Sequence, residues 1–308
     1  MSDEALWNHQ MYRETAGWVL LFFAVIGLAV FFLQKRSPKF LGAWASLKSW
    51  LMMAPFILLV VGLPEPWPLF ALVMAAIYGS KTFYKMVGMY HRSWFVMITY
   101  AFIFLLGYLV YHSWNQLYVL TPMLFLACIS LVPLLRNSAK YMIQYLALSL
   151  MAFIFFGWCF LYTGRLLMLD GGIFIVLYLY ILVEFSENVS LAATRFLGKT
   201  KPFSNISSRI STEGMVIAMV VTLAMAWGIR PLLPDSSEMF WVSAGIIATL
   251  FGRFGDLIIA VIRRDLGIKD SGVFIIGRDD IIARMDKLFF VAPLYYYSYL
   301  YLTGQLTP

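Results

Sequence analysis

Apolar runs separated by short polar stretches recur along the whole chain. Ten can be marked: Gly17–Leu33, Trp50–Leu63, Trp67–Ser80, Trp94–Tyr111, Leu117–Leu135, Met142–Tyr162, Gly172–Phe185, Gly214–Trp227, Phe240–Ile259 and Leu288–Leu302. Runs of roughly 17–25 apolar residues are what a helix needs to cross the hydrocarbon core. The pattern predicts an all-α, polytopic transmembrane helical protein of about ten spans. Several runs are shorter than a full crossing, so they must be partly buried by neighbours or extend into the loops. The second and third are parted only by PEPWP, a proline-rich turn that forces a tight hairpin. Trp and Tyr gather at many run ends, as an interfacial aromatic belt requires. The chain divides into N-terminal transmembrane helices (1–141) and C-terminal ones carrying polar loops (142–308).

Composition fits this reading. Hydrophobic residues make up 62% of the chain and charged residues 13%, against about 25% charged in soluble domains. The acidic N-terminus (Asp3, Glu4) is the reverse of a signal peptide's basic region, so no cleavable leader is expected. Cys128 and Cys159 lie within apolar runs without metal-ligand spacing and read as core residues. With ten spans both termini share a side, and 20 of the 23 Lys and Arg then fall in loops on the other, leaving only Arg13, Arg165 and Arg230. That asymmetry places the basic loops in the cytoplasm and both termini on the non-cytoplasmic side of a bacterial-type inner membrane. The net charge of +7 therefore reports orientation and anionic lipid, and no nucleic-acid partner is expected.

The acids are distributed less evenly. Those assigned to the cytoplasmic side all follow residue 183: Glu184, Glu187, Glu213, Asp256, Asp265, Asp270, Asp279, Asp280 and Asp286. Mixed acids and bases beside spans suit a site that holds phosphate through a divalent metal, since carboxylates bind Mg²⁺ and Arg or Lys neutralise phosphate oxygens. A solvated loop knitted by ion pairs would look the same. Asp256 ends an apolar run, where a carboxylate is costly unless paired or metal-bound. If that segment stays helical, Asp256, Ala260 and Arg263 share one face.

The run GDLIIAVIRRDLGIKDSG followed by GRDDIIARMD resembles the signature of the phosphatidate cytidylyltransferases (CDP-diacylglycerol synthases), roughly S-x-x-K-R-x-x-x-x-K-D-x-G and then P-G-H-G-G-x-x-D-R-x-D. Gly255, Asp256, Arg264, Lys269, Asp270, Gly272, Gly277, Arg284 and Asp286 stand in register, with Arg263 for the first Lys. ENVSLAATRFLGKTK and SSRISTEG are similar to the family's N-D-x-x-A-x-x-x-G-[KR] and S-P-x-K-T-x-E-G segments. The resemblance is specific over about residues 184–290. It implies transfer of CMP from CTP to phosphatidate or a related lipid phosphate, with pyrophosphate released and Mg²⁺ or another divalent cation as cofactor. It implies CTP, the lipid phosphate and membrane lipids as partners, and is compatible with a homodimer.

The roles it implies are specific. Asp256 would bind metal, assisted by Glu187 or Asp286. Arg263, Arg264 and Lys269 would hold phosphates, with Ser271, Gly272 and Gly277 in the substrate-binding loop. Asp270 would orient the basic residues, and Arg284 would neutralise the departing pyrophosphate. The chain also departs from the signature. Ile210 stands for the Lys of S-P-x-K-T and Ser208 for its Pro. Ser186 and Glu187 replace the N-D pair, Arg278, Asp279 and Asp280 replace H-G-G, and Ala283 replaces the first Asp of D-R-x-D. Three accounts stay open: an altered but working transferase in which Asp279 or Asp280 and Arg278 compensate, a lipid- or nucleotide-binding protein that has lost catalysis, and a scaffold whose charged patch docks a partner.

Overall fold

The computed structural model describes residues 5–36, 44, 51, 54–234, 238–267 and 282–305. Among these every regular element is helical: α1 (Gln10–Arg36), a helical stretch at 54–61, α2 (Trp67–Met86), α3 (Ser93–Tyr111), α4 (Asn115–Leu135), α5 (Met142–Ala152), α6 (Tyr162–Leu167), α7 (Gly172–Leu197), α8 (Thr212–Gly228), α9 (Glu238–Asp265), the single turn α10 (Ile282–Met285) and α11 (Leu288–Leu302). A wider π-helical turn, Phe153–Cys159, follows α5 directly. The described residues fall into two compact units, one ending at Ala71 and the other beginning at Leu72.

The all-helical expectation holds. The expected count of about ten crossings is met in part among the described residues. Six helices are long and apolar enough to span: Tyr12–Arg36, Ser93–Tyr111, Asn115–Leu135, Met142–Leu167, Gly172–Leu197 and Glu238–Asp265. The other marked runs form shorter or less apolar helices, such as the 17 residues of α8 and the 15 of α11. Apolar periodicity located the helices, but it does not tell a crossing from a shorter helix buried by its neighbours.

Two stretches expected as loops are helical. The apolar run that begins at Gly172 continues as α7 to Leu197, 26 residues in all, or about 39 Å at 1.5 Å per residue. Past the apolar run, a stripe of small side chains at helical spacing (Ser186, Ser190, Ala193, Thr194) stays buried. Small residues let a second backbone come close, and α8 takes that place. At Gly214 an added Cβ would lie 2.2 Å from Thr194 Oγ1 and 2.9 Å from the Ser190 carbonyl oxygen. Likewise α9 runs through to Asp265, so Gly252 to Arg264 ride a helix.

The interior of the second unit is largely aromatic. Phe125 and Phe153 stack at 4.2 Å between centroids, Phe155 stacks on Phe289 at 5.1 Å, and Phe240 meets Tyr295 and Tyr299 edge-on at 5.1 Å each. Aromatic pairs in such geometries each add about 0.5–1.5 kcal/mol beyond burial. They fix α11 against α9 and the π-helical turn, and so fix the residues that precede α11.

A buried acid–base cluster between two helices and a turn

The turn between α10 and α11 carries Asp286 and Lys287, which are 3% and 5% exposed. It is pressed against α9 at Gly255, where an added Cβ would sit 1.8 Å from the Asp286 carbonyl oxygen. Only glycine permits that approach. Asp286 Oδ1 accepts the Lys287 backbone N–H at 2.7 Å. Lys287 Nζ donates to Glu184 Oε1 at 2.7 Å and is ion-paired with Glu187 Oε2 as well. Arg284 Nη1 lies 3.6 Å from Glu184 Oε2. On α9, Arg253 Nη1 lies 3.8 Å from Asp256 Oδ2, and its Nη2 donates to the Glu187 carbonyl oxygen at 2.8 Å. Residues from α7, α9 and the α10–α11 turn thus form one charged network.

Electrostatics follow from this packing. Burial, and then the neighbouring Asp256 carboxylate, push Asp286 well above the usual carboxylate range. Burial opposes the charge on Lys287, but Glu184 and Glu187 outweigh it and hold the ammonium above the ordinary lysine range. Arg263 acts on Asp286, while its Nε and Nη2 are buried without a hydrogen-bond partner among the described residues. A small cavity opens between α7 and α9, lined by Val183, Ser186, Glu187, Gly252, Arg253 and Lys287. Ser186 Oγ is also without a hydrogen-bond partner among the described residues.

The two weaker motifs prove to be one unit. Glu213, from the TEG segment, accepts the backbone N–H groups of Lys199 and Thr200, from the GKT segment, at 3.0–3.2 Å. The Thr212 N–H returns to the Thr200 carbonyl oxygen at 3.0 Å. Its own N–H and then these groups hold the Glu213 carboxyl below the usual range. Ser211 caps α8 by accepting the Gly214 N–H at 3.0 Å. Arg264 Nε reaches across from α9 to the Ile206 carbonyl oxygen at 3.2 Å. Ile210 is fully buried, so the register position of the family's Lys points an apolar side chain inward. The adjacent Arg209 instead acts electrostatically on Asp256.

Of the residues singled out from sequence, Glu187, Asp256, Arg263, Arg264, Arg284 and Asp286 lie on these neighbouring elements. Lys269, Asp270, Ser271, Gly272 and Gly277, with Arg278, Asp279 and Asp280, lie outside the described residues. The trio Asp256, Glu187 and Asp286 is not assembled as a ligand set: among the described residues no three acidic, histidine or cysteine side chains could hold a metal ion. Glu187 is taken by Lys287. Asp256 and Asp286 remain, and two carboxylates completed by substrate phosphates match how Mg²⁺ is usually held. Three cluster members were missed as site residues. In the sequence Lys287 and Arg253 read only as orientation charges, and Glu184 only as one acid of the uneven distribution. Arg253 sits three residues before Asp256, a helical spacing that could have revealed it.

The fold and cluster define a polytopic helical membrane protein with a buried, charged polar site. The model of the cytidylyltransferase family matches residues 44–302, and the chain belongs to that family. The chain is similar to the "uncharacterized protein YnbB" of Escherichia coli, 29% identical over 154 residues, which cover 47% of this chain and 52% of that protein. It is also 29% identical to a phosphatidate cytidylyltransferase of Staphylococcus aureus over 185 residues (58% of this chain, 67% of the relative). A Staphylococcus saprophyticus phosphatidate cytidylyltransferase is 28% identical over 168 residues (54% and 63%). The chain therefore spans about half to two thirds of the length of these relatives.

Proposed function

We propose that the chain is a CTP-dependent cytidylyltransferase acting on phosphatidate or a related lipid phosphate at the cytoplasmic membrane surface. A phosphate oxygen of the lipid attacks the α-phosphorus of CTP. The new P–O bond forms in line with the bond to the β-phosphate, which breaks, giving CDP-lipid and pyrophosphate. Arg263 and Arg264 bind phosphate oxygens, together with Lys269, Ser271, Gly272 and Gly277. Arg284 neutralises charge on the departing pyrophosphate, and Asp270 orients the basic groups. A divalent cation such as Mg²⁺ would be held by Asp256 and Asp286 and would supply Lewis-acid stabilisation of the phosphoryl oxygens. The observation that supports this reading is that Asp256 and Arg263 both act on the buried Asp286, while two buried guanidinium nitrogens of Arg263 have no hydrogen-bond partner among the described residues. Family membership supports it independently.

Incubating the purified full chain with α-labelled CTP, Mg²⁺ and a panel of lipid phosphates tests the proposal. A labelled CDP-lipid from at least one acceptor is the expected product. The second reading, a binding or scaffold protein without turnover, draws on the buried Ile210 and on Ala283, which remove a cation and a carboxylate from the family pattern. No product from any acceptor, with CTP binding retained, would favour that reading.

A further inference from the structure

Family resemblance asks Glu187 to help hold a metal, yet Glu187 already has a cation. Glu184 and Glu187 stand three residues apart on one face of α7, and the Lys287 ammonium lies in ion-pair contact with both. The three side chains are 13%, 18% and 6% exposed. Two carboxylates this close and this dry repel strongly unless a cation lies between them. Metalloenzymes commonly meet that need with a divalent ion; here the cation is covalently part of the chain. Its position is fixed from both sides, because the aromatic packing of α11 and the close approach at Gly255 seat the turn that bears it.

We propose that Lys287 is a resident cation of the site: its ammonium occupies the place between Glu184 and Glu187, keeps Glu187 from ligating metal, and leaves any divalent ion to Asp256 and Asp286. The inference rests on reading the cluster as a phosphate-and-metal site, but its test needs no turnover. Mn²⁺ binding to the purified full chain is measured by electron paramagnetic resonance without nucleotide. Wild type is expected to bind Mn²⁺ weakly. Lys287→Met should bind at least about tenfold more tightly, as a carboxylate pair freed of its ammonium becomes a hard-cation site. Adding Glu187→Gln to Lys287→Met should return the affinity to the wild-type level.

A folded, monodisperse Lys287→Met protein with wild-type Mn²⁺ affinity would overturn the proposal, as would loss of Mn²⁺ affinity on Glu187→Gln alone. If Lys287→Met is not recovered folded, the triple variant Glu184→Gln, Glu187→Gln, Lys287→Met removes the repulsion along with the cation. Recovery of the triple variant supports a charge-balancing role. Its failure to fold would show that Lys287 serves packing instead, and would equally overturn the proposal. A negative cytidylyltransferase assay leaves all of these outcomes readable.

Discussion

Two basic side chains, Arg165 and Lys287, are buried in the same helical unit in opposite ways. Arg165, on α6, is 7% exposed and has no carboxylate in ion-pair contact among the described residues. Its guanidinium lies 4.3 Å from the ring centroid of Tyr296 and 5.0 Å from those of Tyr118 and Tyr162, and it donates to Asn115 Oδ1 at 2.7 Å. The negative faces of aromatic rings attract a cation without any group that ionises. Lys287 is held by two carboxylates, with Arg253, Arg284, Asp256 and Asp286 beside it. The first arrangement pins α4, α6 and α11 together through rings and an amide rather than through ionisable groups. The second gathers more ionisable groups than packing needs, and buried charge at that density is where function is expected.

Substitutions can break or sharpen this contrast. The largest expected effect is on chemistry: Asp256→Asn should lower CDP-lipid formation by at least about 10²-fold, the scale on which single electrostatic contacts to a transition state act. Size-exclusion profiles of the variant and wild type should coincide. Next comes Glu184→Gln, which leaves Lys287 and Arg284 with one carboxylate fewer and should cost about 3 kcal/mol, the lower end for breaking a buried ion pair. A thermal unfolding midpoint in a fixed detergent reads it as the largest drop among the stability variants. Gly255→Ala should follow at about 1–3 kcal/mol, because its Cβ must displace the backbone at Asp286; activity should fall with it, as Asp286 moves. The smallest effect is expected for Arg165→Met, about 1 kcal/mol from lost cation–π contact, with turnover unchanged. An Arg165→Met effect as large as that of Glu184→Gln would erase the distinction between the two sites.

Much of this was legible in the chain. The run Leu288–Leu302 is a helix with those very ends, and the register from Gly255 to Arg264 survives because the segment is continuous α-helix. The extension of α7 past Phe185 was not legible, because Ser186, Ser190 and Thr194 look like loop residues until their helical spacing against Gly214 is seen. Lys287 was hidden for a different reason. A lone Lys before an apolar run reads as an orientation charge at the membrane surface. Only the fold brings two acids from a hundred or more residues earlier against its ammonium. Ile210 teaches the same lesson in reverse: a missing cation in the motif reads as loss, while the structure shows the position turned into the core.

Pyrophosphate release by the purified full chain, followed with CTP and phosphatidate supplied separately and together, tests the central claim most directly. Release that requires both substrates, matches CDP-lipid one for one and disappears in Asp256→Asn is the expected result. Release that needs no lipid, or that persists undiminished in Asp256→Asn, would contradict a transferase site built on this carboxylate.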